Sequence, residues 1–276
     1  MQNFKNSVIH QYTRENIYET IVKRLHEQGV EKNKITREHI SSVDEFHIKG
    51  AEVSLEMAKE AELSKELKVL DVGCGIGGPA RMIADVFGCS VTGVDLTNEF
   101  IRTASLLSQL VGLSGKTEFM TADATELPFE DNIFDVVWTQ HAQMNIEEKE
   151  KLYSEIHRVL KREGRFIYYD IFSSENEDLK FPLPWADDSS ISFLIELNDF
   201  GRLMKETGFK ELLRKERTSD SIDFFETVFE NNKKEGSPKI GLNIFMTEQT
   251  SLKLSNLLNN LSENKLKVQS GIYQKT

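Results

Sequence analysis

Two hydrophobic periods divide this chain. Up to about residue 66 the apolar positions recur at helical spacing: Ile17, Ile21, Val22 and Leu25, with Gly29 as a stop, then Val53, Met57 and Ala58, closed by Leu63. No strand pattern separates these runs, so residues 1–66 read as a helical cap. From Leu67 short apolar runs alternate with helical ones, the pattern of βαβ units around a parallel sheet. Strands are expected at Lys68–Val72, Ser90–Asp95, Thr117–Thr121, Phe134–Thr139 and Arg165–Ile171. Helices are expected at Pro79–Phe87 and Asn98–Leu110. Another starts at Asn145, with Glu148 completing a capping box, and runs through Leu160 to a stop at Gly164.

Beyond residue 172 the pattern loosens. Ser173–Asp188 reads as a polar loop, Asn198–Glu206 as a helix stopped by Gly208, and Lys210–Lys215 as a sixth strand. Helices follow at about Ile222–Glu230 and Thr247–Leu261, and a last strand at 268–274. Asn231–Lys239, with the run NNKKEGSPK, is the expected mobile surface loop.

Composition narrows the function classes. With 276 residues the chain fits one large domain with additions. Its net charge of −11 disfavours nucleic acid and anionic membrane surfaces as partners. Two cysteines cannot make a multi-bridge framework, and no apolar run reaches membrane-spanning length, so a cytoplasmic location is expected. The six histidines show no metal-ligand spacing, and no metal is expected. The Glu/Lys-rich stretches 56–68 and 147–163 read as solvated helix faces.

The chemistry concentrates in Val69-Leu70-Asp71-Val72-Gly73-Cys74-Gly75-Ile76-Gly77-Gly78-Pro79, a glycine-rich turn from strand to helix. Glycine allows close backbone approach to a ligand, although tight packing turns use it too. Asp95 ends the next strand, eighteen residues after Gly77, where a carboxylate can accept from both hydroxyls of an adenosine-type ribose. The loop reads G-x-G-x-G-G, has no Walker lysine, and follows Asp71, which would repel phosphate but receive an ammonium. This combination suits S-adenosylmethionine, a sulfonium cation that carries an amino acid and no phosphate.

These segments resemble the class I S-adenosylmethionine-dependent methyltransferases. VLDVGCGIGG is similar to their first motif and VTGVDLT to the acidic strand after it. TADATELPF is similar to the loop after strand three, and FDVVWTQ to strand four with its active-site end. Outside these motifs, SSVDEFHIKG (41–50), WTQHAQMNI (138–146) and FPLPWADDSSISFL (181–194) resemble the sarcosine/dimethylglycine methyltransferase-like small-molecule group. The resemblance implies a Rossmann-like, doubly wound α/β fold. Its seven-stranded, mostly parallel sheet has an antiparallel last strand, and an N-terminal helical cap is added. Residues 67–276 would form the methyltransferase domain, with insertions at about 172–196 and 219–265. Asp71, Gly73, Cys74, Gly75, Gly77, Asp95, Leu96, Asp123, Ala124 and Gln140 would contact the cofactor, S-adenosyl-L-methionine, with S-adenosyl-L-homocysteine as product.

On the acceptor side the resemblance points to Tyr12, His47, His141, Met144, Asn145 and Trp185. His141 follows the fourth strand and titrates near neutrality, so it can take a proton from an attacking amine or hydroxyl, or simply line the pocket. Amine-methylating members often carry an acid where His141 stands, which argues against glycine-like amine acceptors. Asn145 also reads as a helix N-cap. Trp185, between prolines, either closes the pocket or packs its loop onto the sheet. The expected activity is methyl transfer to N, O or C of a small molecule. A protein-substrate enzyme and a silent cofactor-binding module are the competing readings. The oligomeric state is open, a homodimer being one option.

Overall fold

The computed structural model describes all residues except 1–4, 6, 8, 10–14, 46, 175–177, 237–240, 242–243 and 245–248. Its core is a seven-stranded sheet. The strands are β1 (Lys68–Val72), β2 (Ser90–Asp95), β3 (Thr117–Thr121), β4 (Phe134–Gln140), β5 (Leu160–Ser173), β6 (Phe209–Glu216) and β7 (Leu266–Lys275). Their order is β3-β2-β1-β4-β5-β7-β6. The first five run parallel, and β7 lies antiparallel between β5 and β6. The chain turns from one half of the sheet to the other between β1 and β4, and the carboxyl ends on either side of that point are where ligands bind in such sheets.

Alternation along each strand builds two cores. Val69, Val136 and Ile167 face one cluster, while their neighbours Leu70, Val137 and Phe166 face the other. Helices α4 (Gly78–Val86), α5 (Asn98–Leu110), α6 (Lys149–Val159) and α7 (Leu197–Glu206) connect the strands. In the N-terminal part α1 (Ile17–Glu27) buries Ile17, Ile21 and Leu25, which pack with Phe100 and Leu107 of α5. Helix α2 (Arg37–Asp44) lies on α4, and α3 (Ala51–Glu60) buries Val53, Met57 and Ala58 in the main core. After β6 come α8 (Thr218–Glu235) and, before β7, α9 (Thr250–Ser262).

Several elements depart from the sequence expectation. Helix α6 starts at Lys149, with no side-chain cap, because Gln143–Asn145 form a separate 3-10 turn. The Nδ2 of Asn145 instead donates to the carbonyls of Trp185 and Ile191, each at 2.9 Å. Gly164 does not end that helix but lies inside β5, whose Leu160 already pairs with Phe134. Helix α8 runs on to Glu235, so Asn231–Glu235 is helical rather than loop, and 237–239 lie outside the described residues. The expected helix start at Thr247 also lies outside them. Helix α2 was not foreseen, its apolar face being only Ile40 and Val43. The segment after β5 is less polar than expected, since Leu183, Trp185 and Ala186 are buried.

Candidate active site

The carboxyl ends of β1 to β5 open into one cavity of about 440 Å³. At its base the glycine loop is tied to β2, where the N–H groups of Gly73 and Cys74 donate to Val94 O at 2.8 and 3.0 Å. Gly73, Gly75 and Gly77 all have positive φ, which L side chains rarely adopt. At Gly75 an added Cβ would meet nothing within 4 Å, so this turn offers bare backbone to the cavity. Gly77 differs. A Cβ there would strike the Phe119 ring at 2.7 Å, so glycine at this position also lets β3 pack against the loop.

Arg81 secures this loop from behind. Its guanidinium is fully buried and donates to Ile76 O at 2.6 Å and Ala104 O at 3.1 Å, and it pairs with Asp44 at the end of α2. At Gly78 an added Cβ would lie 1.7 Å from Asp44 O. The end of α2 thus presses directly on the start of α4, and only glycine fits.

Three carboxylates meet beside the loop. Asp71 is buried, and its Oδ2 has no hydrogen-bond partner among the described residues. Burial, then the charges of Asp95 and Glu45, push its pKa up to about 8. Asp95 accepts from Gly75 N–H at 3.1 Å and Thr97 N–H at 2.8 Å, and burial raises its pKa. Burial would raise Glu45 too, but hydrogen bonds from His47 and Ser54 hold it below the ordinary carboxylate range. A buried, partnerless carboxylate with two acidic neighbours is a site for a cation.

Toward β3, Asp123 accepts from Thr125 N–H at 2.9 Å and Thr125 Oγ1 at 2.7 Å, and Lys5 forms an ion pair with it. Burial opposes ionisation here, but Lys5 and Thr125 hold the pKa below its usual value. Leu96 and Ala124 complete this wall, and Cys74 lines it from within the loop.

The β4–β5 side is different in character. Gln140 is buried, accepting from Trp138 Nε1 at 2.8 Å and bonded to Ser54 of α3. His47 Nε2 meets Glu45 Oε2 at 2.8 Å. His141 sits in the left-handed region at φ 48°, with its N–H donating to Tyr169 O at 2.8 Å. Its ring lies 6.2 Å from that of His47 and 4.8 Å from that of Tyr169, centroid to centroid. Its Nε2 is buried and has no hydrogen-bond partner among the described residues. Burial and then the nearby His47 push its pKa well below the usual histidine value, so the imidazole is neutral near pH 7. Met144, Asn145 and Trp185 stand on the same wall, with Trp185 Nε1 donating to Ser192 Oγ at 2.9 Å. Tyr12 lies outside the described residues.

Sequence reasoning had missed Glu45, Ser54 and Arg81, whose roles arise from partners far away in the chain. It had missed Phe224, Phe225, Leu254 and Leu257 as well, which line the cavity from α8 and α9. Lys149 was expected on a solvated face. Instead Nζ donates to the carbonyls of Gln143, Ile146 and Phe193, and burial lowers its pKa. It thereby holds the turn that carries Met144 and Asn145. Among the described residues no group of acids, histidines and cysteines is placed to hold a metal ion, and no helix is long and apolar enough to cross a membrane.

Comparison with known proteins agrees with this geometry. Residues 70–168 match a family model described as a methyltransferase domain. The chain is 34 % identical over 175 residues to sterol 24-C-methyltransferase erg-4 of Neurospora crassa, covering 60 % of this chain and 45 % of the relative. It is 29 % identical over 187 residues to phosphoethanolamine N-methyltransferase 1 of Zea mays, covering 67 % and 37 %. The chain thus spans less than half the length of these curated relatives. Among solved structures, a putative sarcosine dimethylglycine methyltransferase from Galdieria sulphuraria superposes with TM-score 0.68, at 23 % identity over 82 % of this chain and 85 % of that one. Haemonchus contortus phosphoethanolamine N-methyltransferase 2 in complex with S-adenosyl-L-methionine gives 0.73, at 21 % identity over 84 % and 54 %. At such identities the structures establish a shared fold.

Proposed function

We propose that this chain, a member of the class I S-adenosylmethionine-dependent methyltransferases, binds S-adenosyl-L-methionine in the β1–β3 half of its cavity and methylates a small molecule held in the β4–β5 half. The observation that carries the reading is Asp71: a buried carboxylate with an unpartnered oxygen, beside an open glycine turn and two further acids. Such a place disfavours a pyrophosphate and suits a ligand with an ammonium and a sulfonium.

The residues fit the cofactor part by part. Asp71 and the Gly73–Gly75 backbone would hold its amino-acid portion, Asp95 its ribose, and Asp123 with Leu96 and Ala124 its adenine. When bound, the cofactor supplies an already activated methyl group, so the protein's task is alignment and exclusion of water. Restricting two reactants to one orientation can contribute about 7–11 kcal/mol in favourable cases. Here the rigid 3-10 turn, the His47–Glu45 pair and the buried Trp185 fix the acceptor wall. His141 faces that space as a neutral imidazole able to accept a proton. The N-terminal segment, residues 1–66, acts as a cap through α2 and α3. The −11 charge leaves nucleic acid outside the proposed partners, and the two free cysteines fit a reducing cytoplasm. The chain is proposed to work as a monomer or homodimer.

The test is incubation with S-adenosyl-L-methionine labelled at the methyl group and fractionated cell metabolites. Transfer of label to a small molecule is expected. Label found only in protein, or in nothing, would contradict the reading.

A further inference from the structure

The cavity's two halves differ in chemistry, and the difference identifies the acceptor. On the β4–β5 side the wall is Met144, Trp185, Phe224, Phe225, Leu254 and Leu257. The polar groups among them are already committed. Trp185 Nε1 is held by Ser192, the Asn145 amide by two carbonyls, and Gln140 by Trp138 and Ser54. The two lysines on the cavity wall stand by acids, Lys5 by Asp123 and Lys49 by Glu52 and Asp220. No arginine lines the cavity among the described residues. A phosphate or carboxylate in this half would lose its hydration with no unpaired cation on the wall among the described residues to replace it. An apolar ring system would instead gain by burial against rings and branched side chains.

Beside them stands the His141 imidazole, whose buried Nε2 has no hydrogen-bond partner among the described residues. The carboxylates that also line the cavity there are Glu45, held by His47 and Ser54, Glu148, beside Lys151, and the exposed Glu147. We infer that the acceptor is an apolar, ring-bearing molecule that presents a single hydroxyl to His141. This inference rests on the methyltransferase reading. In the transfer the hydroxyl oxygen forms the new bond to the methyl carbon. The sulfur–carbon bond breaks and sulfur keeps its electron pair, giving the thioether product. The hydroxyl proton passes to His141. A hydroxyl turns strongly acidic as its oxygen becomes bonded to the methyl, so even a weakly basic, neutral imidazole accepts its proton. An aliphatic ammonium would need a stronger base before it could attack. The apolar wall comes from α8, α9 and the segment after β5, so these elements set the specificity.

The test is calorimetry on the full chain with 2-naphthol, estradiol, phosphoethanolamine and sarcosine, each with and without saturating S-adenosyl-L-homocysteine. At least one of the two phenols should bind, and phosphoethanolamine and sarcosine should not. Phe224→Gln and Leu254→Gln, both at half-buried positions, should each weaken phenol binding about tenfold and leave S-adenosyl-L-homocysteine affinity unchanged. The preference for 2-naphthol over 2-methoxynaphthalene, also about tenfold, should vanish in His141→Phe. Binding of phosphoethanolamine or sarcosine in place of the phenols would overturn the proposal, as would phenol binding indifferent to these variants or no phenol binding. Phenol binding without any affinity for S-adenosyl-L-homocysteine would overturn the cofactor reading alone.

Discussion

The backbone N–H of Gly75 donates to the Asp95 carboxylate across 3.1 Å, so the acid at the end of β2 shapes the glycine loop as well as facing the cavity. Its other oxygen receives Thr97 N–H. Asp95→Ala leaves both donors without their acceptor, at about 1–3 kcal/mol for each that stays buried. The variant should lower the melting temperature and weaken S-adenosyl-L-methionine binding by at least about a hundredfold. Asp95→Asn keeps an acceptor, so it should melt closer to the parent while still binding weakly. Melting curves and calorimetry on the three proteins check this.

Asp71 predicts a pH dependence. Its pKa is about 8 in the folded chain against an ordinary 3.8. Between these values the native state keeps a proton that the unfolded chain has lost, so this group's contribution to stability falls as pH rises, until about pH 8. A cationic ligand favours the ionised form, so affinity for S-adenosyl-L-methionine should rise with pH and level off above about 8. Asp71→Asn should remove both trends and make the free protein more stable at alkaline pH. Calorimetric titrations and melts between pH 6 and 9 read out each.

The Arg81–Asp44 pair joins the cap to the glycine loop. Removing one partner of a buried ion pair costs about 3–5 kcal/mol, because the other charge stays buried alone. Arg81→Met should therefore destabilise strongly in denaturant melts. Adding Asp44→Leu should recover part of the loss, since the two substitutions share one interaction.

His141→Ala should reduce turnover of the true acceptor about 10²- to 10⁴-fold, the range typical of a lost proton acceptor. Cofactor affinity should stay near that of the parent chain. Single-turnover kinetics beside a binding measurement separates the two effects.

Much of this was legible in the sequence because its signals are local. The strand-to-helix glycine run and Asp95 at the next strand end sit within one βα unit, so pattern and spacing located them, while the Asp123 loop was found through its resemblance to the family's motif after strand three. What depended on distant partners was not legible. Lys149 lies on a stretch that reads as solvated, and only the fold brings the carbonyls of Gln143 and Phe193 to its ammonium. Arg81 looks like a surface residue of α4 until α2 lays Asp44 against it. Asn145 followed the capping pattern, yet its amide is taken by Trp185 and Ile191, forty and forty-six residues further along the chain. Phe224 and Leu254 occupy amphipathic helices whose apolar faces could equally have met core.

The central claim is that the acidic, glycine-lined half of the cavity holds S-adenosyl-L-methionine. Titrating the chain with this compound at pH 8, beside Asp95→Ala, tests it directly. The account predicts one site per chain, displaced by S-adenosyl-L-homocysteine and lost or severely weakened in the variant. No heat of binding in the parent chain, or equal affinity in both, would contradict it.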